Sequence, residues 1–64
     1  MFTVELYTNR AYRSQGKVGS LGRAAVLMHR LRTPGKVRIK NAKGHVVCTG
    51  RIVQTDNGFE FKPE

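Results

Sequence analysis

The stretch Ser20-Leu21-Gly22-Arg23-Ala24-Ala25-Val26-Leu27-Met28-His29-Arg30-Leu31-Arg32, followed by Thr33-Pro34-Gly35, decides the fold. Its apolar residues recur at helical spacing. On a helical wheel Leu21, Ala24, Ala25, Leu27, Met28 and Leu31 share one broad arc, and Arg23 and Arg30 fall on the opposite side. Ser20 is an N-cap by type, because its hydroxyl oxygen can accept from an early backbone N–H. Pro34 disfavours helical backbone at the residue before it and Gly35 permits a turn, so the helix predicted over Leu21 to Arg32 ends there. His29, Arg30 and Arg32 in its last turn complement the negative end of the helix dipole. A lone helix with one apolar arc must cover an apolar layer, and the two alanines let it sit close to a sheet.

The flanking segments supply that sheet. Phe2-Thr3-Val4-Glu5-Leu6-Tyr7 alternates with period two, which turns Phe2, Val4 and Leu6 inward and Thr3, Glu5 and Tyr7 outward. Val37-Arg38-Ile39-Lys40 alternates again, and Asn41-Ala42-Lys43-Gly44 supplies a tight turn. His45 to Thr55 is the next strand, with Gly50 expected at a bulge or bend. Asp56-Asn57-Gly58 is a hairpin signal. Phe59-Glu60-Phe61 makes a short last strand, with Lys62-Pro63-Glu64 as a tail. Thr8 to Gly19 is polar and reads as a long loop, of the kind often used for function. The expectation is one basic α+β domain over residues 1–64. It is a small two-layer sandwich of order β-α-β-β-β, with one helix on one face of a mainly antiparallel sheet.

A chain of 64 residues buries a small core. Domains of this size often lean on a disulfide, a metal or an oligomer. Cys48 is the only cysteine, which excludes an intrachain disulfide. Cys48, His29 and His45 have no zinc-site spacing, so no metal and no cofactor is expected. A homodimer is therefore one of the expected partners. The unpaired cysteine, with no secretory signal and no apolar run near the length of a membrane span, points to a cytoplasmic setting without membrane contact.

Charge is the outlying property. Twelve Lys and Arg stand against four Asp and Glu, a net +8. The acids are Glu5, Asp56, Glu60 and Glu64; none lies between Leu6 and Thr55, where eleven of the twelve basic residues are found. Such a surface attracts polyanions over a Debye length of about 8 Å. Nucleic acid, DNA or RNA, is the first partner expected and an acidic protein surface the second.

Three groupings carry that expectation. One helix covers one face of a sheet, so Arg38, Lys40 and Arg51, with Val47, Thr49, Thr3, Glu5 and Tyr7, would share the other, provided Val46, Cys48 and Ile52 face the helix. Cations there neutralise phosphates and an aromatic ring can stack a base. Gly16-Lys17-Val18-Gly19-Ser20-Leu21-Gly22-Arg23 runs into the helix N-terminus, where backbone N–H groups favour an anion, with Lys17 and Arg23 beside it. It matches neither the G-x-x-x-x-G-K-[ST] nor the G-x-G-x-x-G pattern. Arg10, Arg13 and Lys17 interleave with Tyr12 in the predicted loop. Lys43 completes the nucleic-acid-binding set, in the turn after Lys40. The same residues also suit solubility, since surface strands and loops commonly carry Lys and Arg.

No catalytic set is visible. His45 and Cys48 fall on opposite faces of their strand, Cys48 reads as a small core residue, and no two carboxylates are placed for acid–base work. The run from Gly35 to Ile52 resembles, in its turn and strand rhythm, small β-barrel modules of ribosomal and RNA-binding proteins. The shortness and charge are similar to those of small phage accessory proteins. Neither likeness assigns a role to a residue. The expected function is a non-catalytic nucleic-acid-binding module that contacts mainly phosphates. Two alternatives stand beside it: a modulator or inhibitor that docks on an acidic protein, and, more remotely, a small basic ribonuclease using His45 beside Arg38 and Lys40.

Overall fold

Period-two alternation places Val4 and Leu6, Val37 and Ile39, and Ile52 on one side of their strands, and all five are buried there. In the computed structural model, which describes residues 1–64, these strands are β1 (Phe2–Thr8), β3 (Gly35–Lys40) and β4 (Val46–Thr55). They are joined by β2 (Ala11–Val18) and β5 (Gly58–Pro63), and the helix is α1 (Leu21–Arg30). The sheet order is β2-β1-β3-β4-β5. Every neighbouring pair is antiparallel. The expected α+β architecture is the one observed: a single helix packs on one face of an antiparallel sheet.

The helix begins as its cap residue dictates. Ser20 has extended backbone, and its Oγ accepts from the Arg23 backbone N–H at 3.1 Å. Ala24 and Met28 are buried against the sheet, with Leu27 and Leu31 packed around them. The wheel is right about these four and wrong about Leu21, which is 48% exposed at the first helical position.

The segment from Thr8 to Gly19 is a correction. It is not a loop: Ala11–Val18 is the edge strand β2, paired with β1 from Phe2–Val18 to Thr8–Ala11. The turn is Asn9-Arg10, both at positive φ (51° and 67°), the left-handed geometry of a tight two-residue hairpin. Gly16 sits in this strand opposite Val4, and a Cβ there would lie 3.2 Å from Leu27 Cδ2. The helix thus rests on glycine backbone at this edge.

Two further readings change. Gly50 is not at a bulge. It pairs in register with Val37 on one side and Pro63 on the other. It is glycine because the Phe61 ring lies where its Cβ would be, with the Lys62 carbonyl oxygen 2.7 Å from that position. The register shift lies instead between Ile39 and Lys40, opposite Val46 to Cys48. It sets Val46 opposite Lys40, so Val46 does not join the core as expected and is 45% exposed. Cys48, opposite Ile39, does pack against the core. The predicted tail is partly strand as well: Lys62 and Pro63 belong to β5, and the Glu64 N–H donates to the Thr49 carbonyl at 3.2 Å.

The two remaining turns form where they are predicted. Asn41 Oδ1 accepts from the backbone N–H groups of Lys43 and His45, each at 3.0 Å, and Gly44 takes φ 84°. Asp56-Asn57 closes the last hairpin, with Gly58 at φ 122°.

Candidate functional site

The face of the sheet turned away from α1 is uncovered, and register determines what lies on it. Opposed residues in an antiparallel pair share a face. Three lateral rows follow. The first is Lys17–Thr3–Lys40, the second Ser14–Glu5–Arg38–Thr49, and the third pairs Tyr12 with Tyr7 on one side and Lys36 with Arg51 and Lys62 on the other.

The middle row is saturated. Glu5 has a side chain 15% exposed, and Arg38 Nε donates to Glu5 Oε1 at 2.7 Å. Lys40 Nζ reaches the same oxygen at 3.5 Å. The Arg38 hydrogen bond holds the Glu5 carboxyl below the usual carboxylate range; partial burial opposes this and the charges of Arg38 and Lys40 reinforce it. The Arg38 guanidinium also lies 3.7 Å from the centroid of the Tyr12 ring, a cation–π contact. Tyr12 in turn meets Tyr7 edge-on, with ring centroids 5.0 Å apart. Tyr7, Tyr12, Arg38, Glu5 and Lys40 thus form one continuous cluster.

The cations of the third row have no such partner. Lys36, Arg51 and Lys62 are exposed and stand directly opposite one another on three adjacent strands. The only ion pairs in the chain are the two made by Glu5. Glu60, opposite Val53, and Glu64, whose N–H donates to the Thr49 carbonyl, lie on the same face on either side of Lys62, and neither forms an ion pair with these cations.

Of the residues singled out from the sequence, Tyr12, Lys17, Arg38, Lys40 and Arg51 come together on this open face. Arg10 and Lys43 lie in turns at opposite ends of the sheet. Arg13 is opposite Leu6, hence on the helix side, and Arg23 is in the first turn of α1. At the helix N-terminus Gly16 lies under Leu27, the Ser20 Oγ is taken by the Arg23 N–H, and Gly19 has open space around it. The arginine-bearing loop is a strand whose residues divide between two faces. Lys36 and Lys62 were missed. Lys36 continues the Arg38–Lys40 alternation back by two residues, a signal that was legible. Lys62 was hidden because a lysine before a proline reads as a tail.

His45 is exposed after the turn, and its backbone N–H is held by Asn41. Arg38 and Lys40 both reach Glu5 Oε1. His29 lies against Phe61, with ring centroids 6.5 Å apart. No helix is long and apolar enough to cross a membrane. No protein-family model, curated protein or solved structure matches this chain, so its functional reading rests on the open face itself.

Proposed function

We propose that this protein is a non-catalytic nucleic-acid-binding module whose open sheet face contacts mainly phosphates. One observation carries the reading: Lys17, Lys36, Arg38, Lys40, Arg51 and Lys62 share one uncovered face, against three acids there, Glu5, Glu60 and Glu64. A phosphodiester chain over that face releases its condensed counterions and screens the repulsion among the lysines and arginines. Thr3, Ser14 and Thr49 add hydroxyls that donate to phosphate oxygens. The contacts are to backbone, so sequence preference is weak and salt dependence steep.

Fluorescence titration of a short labelled oligonucleotide tests this. With about four phosphate contacts, log K falls against log salt with a slope of roughly −3 to −4. Absence of binding to both DNA and RNA at low salt sinks the proposal.

A second reading has its own observation. Val46 and Val47 are 45% and 46% exposed, side by side at the end of β4, and they suit an apolar anchor for an acidic protein or a second copy of this chain. Val47→Asp would then abolish a stoichiometric complex that survives nuclease while leaving oligonucleotide binding intact. A nuclease-sensitive complex excludes this reading.

A further inference from the structure

We propose that the open face takes a single strand of nucleic acid, laid across the β-strands with its phosphates over Lys36, Arg51 and Lys62 and a base against Tyr7. This rests on the nucleic-acid reading above and narrows it. The first support is the in-register row. Lys36 is opposite Arg51, and Arg51 is opposite Lys62, all exposed and without an ion pair. Like charges set directly opposite one another repel. A polyanion following the row relieves all three at once, and the row runs perpendicular to the strands.

The second support is width. Five strands spaced about 4.8 Å apart make a face roughly 19 Å across. The B-DNA major groove is about 12 Å wide and admits a helix or a two-stranded ribbon, not this face. A duplex would touch the row with backbone alone and leave Tyr7 without a base. A single strand can splay its bases, and an aromatic ring stacks any of them.

Tyr7 stands where that base would fall. The register that sets Leu6 opposite Val37 brings Tyr7 beside Lys36 at the end of the row. The Cβ position of Gly35 is 3.3 Å from the Tyr7 carbonyl oxygen, so the two strands are still adjacent there. Tyr7 is 41% exposed, whereas the Tyr12 ring is occupied by Arg38.

The test compares single strands of DNA and RNA, about 12 nucleotides long, with duplexes of each at equal phosphate concentration and low salt. Single strands are expected to bind about 10-fold tighter, and the tighter of the two sugars names the natural backbone. The triple variant Lys36→Ala/Arg51→Ala/Lys62→Ala should flatten the salt slope by about 2. Its charge-matched control, Arg13→Ala/Arg23→Ala/Arg30→Ala on the helix side, should leave the slope nearly unchanged. Tyr7→Ala should lose about 10-fold in affinity and Tyr7→Phe should restore it, with folding verified by thermal melts. Duplex binding as tight as single-strand binding, equal slopes for the two triples, or no effect of Tyr7→Ala overturns this inference alone. If no oligonucleotide binds, the broader proposal falls with it.

Discussion

On β1, β2 and β3, Arg38 and Lys40 share the Glu5 carboxylate and Arg38 stacks on Tyr12. Across β3, β4 and β5, Lys36, Arg51 and Lys62 lie in register with no acid between them. Glu60 and Glu64 flank Lys62 on this face yet pair with no cation, whereas Glu5 pairs with two, and that pairing makes the difference. The first group helps to hold the sheet together. The second is held in place by the sheet, against its own repulsion, and makes no ion pair. The turns show the opposite bias. The β1–β2 turn forces Arg10 into left-handed backbone, whereas the β4–β5 turn gives its positive φ to Gly58. One half is electrostatically settled and strained at its turn; the other is relaxed at its turn and electrostatically unsettled.

The largest expected effect breaks the β4–β5 half. Gly50→Ala drives a methyl group into the Phe61 ring and toward the Lys62 carbonyl, with backbone on one side unable to yield. A loss of about 3 kcal/mol in denaturant unfolding is expected. Gly50→Ala/Phe61→Leu should recover part of it, and strict additivity of the two changes would contradict the contact.

Glu5→Gln tests the settled half. Both side chains of the Arg38–Glu5 pair are partly exposed, so the loss at neutral pH should be about 1.5 kcal/mol after solvent screening. The folded carboxyl titrates below its unfolded value. Its contribution is therefore present above the unfolded carboxylate range and is lost as pH falls through the lowered folded pKa. Acid titration of stability should show this loss in the native protein and a shallower one in the variant. The variant also releases Arg38 and Lys40, so oligonucleotide binding should tighten at neutral pH; unchanged affinity would mean that these two residues do not contribute.

Arg10→Gly should stabilise the protein by about 1 kcal/mol, because glycine takes the left-handed turn without the Cβ penalty. A lower melting temperature would show that the Arg10 side chain has a compensating contact. The smallest effect is in the cationic row. Lys62→Glu places an acid opposite Arg51 and should add about 0.5 kcal/mol. The same change should weaken oligonucleotide binding, so stability and affinity move in opposite directions.

Much of the fold was legible because alternation and helical periodicity are local. Val4 and Leu6, Val37 and Ile39, and the Ala24–Met28 stripe each announce a buried side within a few residues. β2 was not legible, because it is an edge strand whose helix-facing positions include Gly16 and Arg13, with no apolar run to mark them. Its Asn9-Arg10 turn lacks the glycine that would signal a hairpin. Val46 was misplaced because the register shift opposite Lys40 belongs to the pairing of two strands and not to either one.

By itself, the sequence determined that this is a basic α+β chain with one amphipathic helix, an acid-poor stretch from Leu6 to Thr55, and Arg38 and Lys40 on the face opposite that helix. Only the tertiary structure decided which cations are free. Glu5 precedes the acid-poor stretch, yet antiparallel pairing of β1 with β3 sets it directly against Arg38. Lys36, Arg51 and Lys62 are scattered along the chain, yet pairing of β3, β4 and β5 aligns them. Side-chain direction follows from local alternation, whereas the neighbour across the sheet follows from register, and register is fixed by turns, bulges and core packing acting together.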